Sequence, residues 1–308
     1  MIDKATQDKI INYLWRKGRP IDVSRLRYRI GETGSKLVLQ FLNAYQNPDG
    51  GYGRGLEPDN MSPHSSPISS WAAIRILRKL IDNPVTETQV KRLFQYLDKT
   101  PDFVNGRWRG AVPSTNDYPH APWWTFDEAT EAETWGYNPT AELAGFILRF
   151  ESPYSPLYAR AEGIIRKMIP VIMAPEYGLT GHELGNVTTM YKDILIAGRL
   201  DLVPDYFEEF LQDRVKEALT DSVAKFGTDE YYLSPTHYIM GTDSPYYAAN
   251  KEAAEAYADH LEASVTEDGY WEPNWTWGDQ PIPADALRDW RSDLTLENFL
   301  YLKGLGRM

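Results

Sequence analysis

Phe41-Leu42, three further residues, and then Gln46-Asn47-Pro48-Asp49-Gly50-Gly51-Tyr52-Gly53 is the stretch on which the fold turns, because weaker copies recur down the chain. Tyr96-Leu97, Asp102 and Gly106-Arg107-Trp108 make the second copy; Leu261 with Asp268-Gly269-Tyr270-Trp271 makes the third. The closing aromatics at 52, 108 and 271 stand 56 and 163 positions apart. The second gap is about three times the first, so one period of roughly 55 residues fits both. Such a period suits an array of helical hairpins, each repeat being two helices and their connections.

Apolar periodicity marks helices over 35–46, 69–81, 87–99, 140–150, 157–173, 186–200, 206–225, 248–265 and 294–305. Strand signals are short and isolated, so the chain reads as all-α. The connections alternate in length. Tight turns carry a proline at Asn83-Pro84, Ser152-Pro153 and Val203-Pro204, where the next helix is expected to begin. Long loops are expected at 47–64, 100–137, 174–182, 226–244 and 266–286, and loops of that length are usually functional or disordered. If tight turns close hairpins and long loops join them, all five loops fall at one end of the array. Four of the five histidines (His64, His120, His182, His237) and seven of the ten tryptophans lie in or beside those loops. Order, not disorder, is expected of segments so rich in Trp, Tyr and Gly.

At 308 residues, with no Ser/Gly/Pro-rich linker, the chain is expected to form one domain over 1–308. A net charge of −12 argues against a nucleic-acid backbone or anionic membrane as partner, since either needs a basic face. No apolar run approaches membrane-spanning length and Met1-Ile2-Asp3-Lys4 opens no signal-peptide core, so a cytoplasmic protein without membrane insertion is expected. The absence of cysteine removes disulfides, thiolate nucleophiles and cysteine-containing zinc sites. No cofactor is expected, and length and composition do not set the oligomeric state.

The string Phe41-Leu42-x3-Gln46-x2-Asp49-Gly50-Gly51-Tyr52 resembles the Gln-Trp repeat of the squalene and oxidosqualene cyclases, and the repeats of protein prenyltransferase β subunits. The resemblance implies an α/α toroid of five to six helical hairpins, with an inner ring of helices around a cavity. It also implies that Gln46, Asp49 and Trp271 brace the fold, each tying a helix end to its neighbour. The catalytic motifs of these families do not carry over. There is no Asp-x-Asp-Asp acid, the nearest string being Glu57-Pro58-Asp59-Asn60, and no Asp-Asp-x-x-Asp magnesium motif. A zinc site of Asp, Cys and His cannot form without cysteine.

Several loop residues could carry chemistry. Asp59 or Glu57, and less directly Asp127 or Asp279, could donate a proton, because a carboxyl in an aromatic pocket is disfavoured as an anion. Arg54 could hold an anionic group beside Tyr52. In Pro119-His120-Ala121-Pro122-Trp123-Trp124, the two indoles could wall a cavity, stabilise a cation or stack on a sugar. Trp275 and Trp277 share one side if their segment is extended. His182-Glu183 and His237 would suit acid–base work at neutral pH. Metal binding is not expected of His64, His120, His182 and His237, whose spacings are long. The acidic run Phe207-Glu208-Glu209-Phe210 reads as a solvated helix face.

Three readings follow. The first is an isoprenoid-handling enzyme, cyclase-like or transferase-like, in which Asp59 or Glu57 protonates an alkene and aromatic faces stabilise the cation. The second is a carbohydrate-active hydrolase or lyase on an α/α barrel. The third is a binding module for a small apolar molecule. The walls separate the first two: apolar and aromatic throughout, or aromatic with polar groups between.

Overall fold

The computed structural model describes residues 1–80, 84–278 and 284–308. Its helices are α1 (Lys4–Lys17), α2 (Pro20–Arg29), α3 (Ser35–Asn43), α4 (Pro67–Leu77), α5 (Pro84–Lys99), α6 (Glu131–Trp135), α7 (Thr140–Phe150), α8 (Pro156–Ile172), α9 (Gly181–Ile196), α10 (Phe207–Ala224), α11 (Lys251–Ser264) and α12 (Ala284–Gly304). Strands β1 (Phe103–Val104) and β2 (Arg107–Trp108) form one small hairpin. The chain is therefore all-α.

Helix starts follow the capping chemistry more closely than the apolar stripe. α4 begins at Pro67 because the Ser66 hydroxyl accepts the Ser69 N–H and proline suits the first turn. In the same way Ser155 accepts from Tyr158, so α8 starts at Pro156 and leaves Pro153 in the turn before it. α9 starts at Gly181, which puts His182 and Glu183 on a helical first turn. α12 starts at Ala284, inside the expected 266–286 loop and ahead of the helix that periodicity marks at 294–305. α1 and α2 were not marked by the pattern at all. Asn83, in the first of the expected tight turns, lies outside the described residues.

Contacts divide the described chain into two units. In the central unit, residues 34–208, α4 packs on α5 and α7, α5 on α3 and α8, and α7 on α8 and α9. Its core is built on α7, where every residue from Thr140 to Leu148 is buried. In the terminal unit, formed by residues 1–33, 209–278 and 284–308, α12 packs against α1, α2 and α11. The two chain ends meet there: Ile2 N–H donates to the Arg307 carbonyl at 3.0 Å, and the Met1 ammonium pairs with Glu262 at 2.6 Å. α10 buries Leu211, Val215 and Leu219 on one stripe and exposes Glu208, Glu209 and Asp213 on the other, as a solvated face requires.

The three sequence copies share one main-chain bond, and the two that end in tryptophan share a second. The main-chain N–H of the closing aromatic donates to a helix hydroxyl: Tyr52 to Ser70 at 3.2 Å, Trp108 to Thr140 at 2.9 Å, Trp271 to Thr295 at 3.3 Å. The Trp108 indole N–H then donates to the Leu97 carbonyl at 3.1 Å, and that of Trp271 to the Leu261 carbonyl at 3.0 Å. All three rings are buried. Two residues before each aromatic stands a glycine in the left-handed region, with φ of 96° at Gly50, 81° at Gly106 and 86° at Gly269. A Cβ at Gly50 would lie 2.0 Å from the Arg92 carbonyl oxygen, so the turn and helix touch backbone to backbone. The second copy replaces the open turn by the β1–β2 hairpin, whose Asn105-Gly106 pair has positive φ at both positions. Gln46 ties the end of α3 to α5, its amide donating to the Gly50 and Gln89 carbonyls at 2.9 and 3.0 Å. Asp49 accepts from Gly51 N–H at 3.0 Å and from the Ser65 hydroxyl at 2.7 Å.

Candidate functional site

In the central unit three of the long loops come together. Residues 59–61 run antiparallel to 119–121: Ala121 N–H donates to the Asp59 carbonyl at 2.8 Å and Met61 N–H to the Pro119 carbonyl at 3.1 Å. The Asp59 side chain is fully buried and accepts the Trp124 indole N–H at 2.6 Å. Trp124 stacks on Trp135 with centroids 5.2 Å apart. Asp59 thus holds one loop against another, and Glu57 is buried beside it in sequence. Tyr52 is wholly buried in its brace, while Arg54 is exposed and donates to the Asn47 side chain at 2.9 Å.

His64 is exposed and shares a 3.1 Å bond with the Tyr118 hydroxyl. His120 donates from Nδ1 to the Tyr118 carbonyl at 2.6 Å, which leaves Nε2 to accept from the Thr125 hydroxyl at 3.1 Å. Trp123 is 37% exposed, so of the adjacent pair only Trp124 is built into the core. Asp127 is exposed and closes a local turn by accepting Ala129 N–H at 2.9 Å. These residues share a region without surrounding one reacting group.

The group that is surrounded is Glu183. One of its oxygens accepts the Tyr137 N–H at 2.6 Å and the Tyr177 hydroxyl at 2.7 Å. Burial raises its pKa above the ordinary carboxylate value, against the opposing pull of those two donors and of the Arg107 charge. Gly136, at φ 51°, lets the loop approach: a Cβ there would sit 2.6 Å from the Glu183 carboxylate. Arg107 donates to the Gly136 carbonyl and, at 3.2 Å, to Glu131, whose other oxygen receives Gly110 N–H at 2.9 Å. The Tyr137 and Tyr177 rings, both half-buried, lie 6.4 Å apart. The result is a partly exposed carboxyl with a raised pKa, held by the Tyr137 main chain and the Tyr177 hydroxyl. His182, its neighbour in sequence, is exposed.

Elsewhere in the central unit the faces of α4 and α7 are ionic as well as aromatic. Glu142 accepts the Trp71 indole N–H at 2.6 Å and pairs with Arg78 at 3.1 Å; Arg78 also pairs with Asp193, which Arg149 reaches at 3.4 Å. Burial raises the Glu142 pKa despite Arg78. The Arg75 guanidinium lies over the half-buried Trp71 ring at 5.0 Å. Trp71, Arg75 and Arg78 share one face of α4, and Glu142, Phe146 and Arg149 one face of α7.

In the terminal unit, His237 sits in a short turn and donates from Nδ1 to the Ser234 carbonyl at 3.0 Å. Trp275 and Trp277 lie 6.3 Å apart, both half-buried. Asp279 lies outside the described residues. Among the described residues no group of three or more His, Asp or Glu is arranged to hold a metal ion, and no helix is long and apolar enough to cross a membrane.

No family model, curated protein or solved structure matches the chain. The site rests on its own geometry. Glu183 was legible as the neighbour of His182, but Tyr137, Tyr177, Arg107 and Glu131 were not. Their one signal was Gly136 between two aromatics at the end of the 100–137 loop.

Proposed function

We propose that the chain is a carbohydrate-active enzyme on an α/α toroid, with Glu183 as its acid–base carboxyl. The toroid reading is supported by the threefold brace at Tyr52, Trp108 and Trp271, and by the packing of the first helix, α1, on the last, α12. The observation that carries the function is the carboxyl of Glu183, partly exposed, raised in pKa and fixed by Tyr137 and Tyr177. A sugar ring stacks its C–H face on such tyrosines. Glu183 gives its proton to the glycosidic oxygen as the C–O bond breaks. Water then supplies hydroxide to the anomeric carbon and returns a proton to Glu183.

A second reading, an isoprenoid-handling enzyme, is favoured by Asp59, a buried carboxyl bonded to the indole N–H of Trp124, which stacks on Trp135. One experiment separates the two. The protein and its Glu183→Gln and Asp59→Asn variants are incubated with an oligosaccharide panel and with linear isoprenoids and their diphosphates, and products are read by mass spectrometry. Oligosaccharide cleavage that falls about 10²–10⁴-fold in Glu183→Gln is the expected result. Isoprenoid conversion that Asp59→Asn removes would install the second reading instead.

A further inference from the structure

The terminal unit holds an aromatic cluster that the Glu183 site does not use. Trp275, from the 265–278 segment, sits edge-on to Trp290 of α12 with centroids 5.0 Å apart and an interplanar angle of 88°. Trp277 lies 6.3 Å from Trp275, and Tyr231 lies 6.4 Å from it on the opposite loop. The two loops are tied together by Asn274, whose amide donates to the Tyr232 carbonyl at 2.7 Å. Trp275, Trp277 and Trp290 are half-buried and Tyr231 is 48% exposed, so the group is open to solvent on one side.

What sets the cluster apart is its polarity. The indole N–H groups of Trp275 and Trp290 are both buried and neither has a hydrogen-bond partner. A buried donor without an acceptor costs free energy, and buried indoles elsewhere in this protein are served: Trp71, Trp108, Trp124 and Trp271 each donate to a carboxylate or carbonyl. Two unserved donors on touching rings call for a ligand that brings oxygen acceptors and a flat apolar face together. A pyranose does so, through ring and hydroxyl oxygens on one edge and axial C–H groups on a face. A quaternary ammonium would fill the ring faces but would leave both N–H groups unanswered.

We propose that Trp275, Trp277, Trp290 and Tyr231 form a second sugar-binding subsite, specific for an uncharged pyranose ring. The subsite takes its ligand class from the carbohydrate reading above, but shares no residue with the Glu183 site. It holds one ring of an oligosaccharide by stacking, and by two indole hydrogen bonds formed as the half-buried rings swing their closed N–H groups toward the ligand, and takes no part in bond cleavage.

Calorimetric titration of the full chain tests this, with neutral cello-, malto- and chito-oligosaccharides in one arm and choline in the other. At least one neutral series is expected to bind. Trp290→Phe and Trp275→Phe, which keep a ring and lose the N–H, should each weaken that binding roughly three- to ten-fold, the worth of one hydrogen bond. Trp275→Ala should abolish binding at this subsite and leave only what the Glu183 site holds, with circular dichroism confirming that the variant is folded. Glu183→Gln should keep the share of binding that the Phe variants weaken. If Glu183→Gln alone loses the sugar, the ligand sits at the Glu183 site and the subsite is overturned while the enzyme reading stands. If the Phe variants lose affinity but no oligosaccharide is cleaved, the subsite stands and the enzyme reading falls. Choline binding without sugar binding, or no binding in either arm, overturns the subsite.

Discussion

Trp271 and Trp290 belong to the same unit and put the same ring to opposite uses. Trp271 is 3% exposed and spends its indole N–H on the Leu261 carbonyl, as Trp108 does on Leu97 in the central unit. Trp290 is half-buried, leans edge-on against Trp275, and leaves its N–H unspent. One tryptophan closes a turn against a helix end; the other holds surface and a donor in reserve. Tryptophan content alone therefore says little about binding. Where each N–H goes separates brace from site.

The contrast can be broken most decisively at Trp271. Trp271→Ala should cost about 3–5 kcal/mol, read by denaturant unfolding, because it opens a cavity and removes the indole bond to the Leu261 carbonyl. An unchanged midpoint would mean that the brace is decorative. Next in size is Gly50→Ala, which must move the Arg92 carbonyl or abandon a φ of 96° and should cost about 1–3 kcal/mol. Replacing only the N–H sharpens the comparison further. Trp271→Phe should lose about 1–3 kcal/mol, whereas Trp290→Phe should stay within about 0.5 kcal/mol. Equal losses at the two positions would erase the distinction.

The smallest effect is a pH dependence at Glu183. Its folded pKa is raised, so between the unfolded and folded values the native state holds more proton than the unfolded state. Stability contributed by this group therefore falls as pH rises through that window. Glu183→Gln keeps an oxygen for Tyr137 and Tyr177 and should flatten this part of the melting-temperature profile, leaving the variant level with the parent below the window and above it at higher pH. A profile that keeps its slope would place the raised proton elsewhere, with Glu142 the next carboxyl to examine.

The fold was legible where apolar residues repeat. The 140–150 helix agrees to the residue with α7, whose fully buried stripe dominates the signal. α1 and α2 escaped because their surfaces are mostly charged, although Asp3 and Pro20 mark their starts. The first turns of α12 escaped for the same reason: Asp285, Arg288, Asp289 and Arg291 hide the stripe, and Trp290 with them. The candidate site was half legible. Sequence singled out Trp275, Trp277 and the His182-Glu183 pair, but a polar site has no period. Tyr137 and Tyr177 approach Glu183 from loops whose geometry is set by Gly136 and by tertiary contacts, not by local pattern.

The pairing of residues 59–61 with 119–121 changes what the long segment between α5 and α7 is, physically. It contains little regular structure, yet Pro119 and Ala121 are locked main chain to main chain onto Met61 and Asp59, and Trp124 is pinned from the side by Asp59. Such a segment behaves as a rivetted plate. The amides at 61 and 121 are shielded like those of a sheet, and proteolysis and inserted residues are expected first at exposed rims such as 127–130.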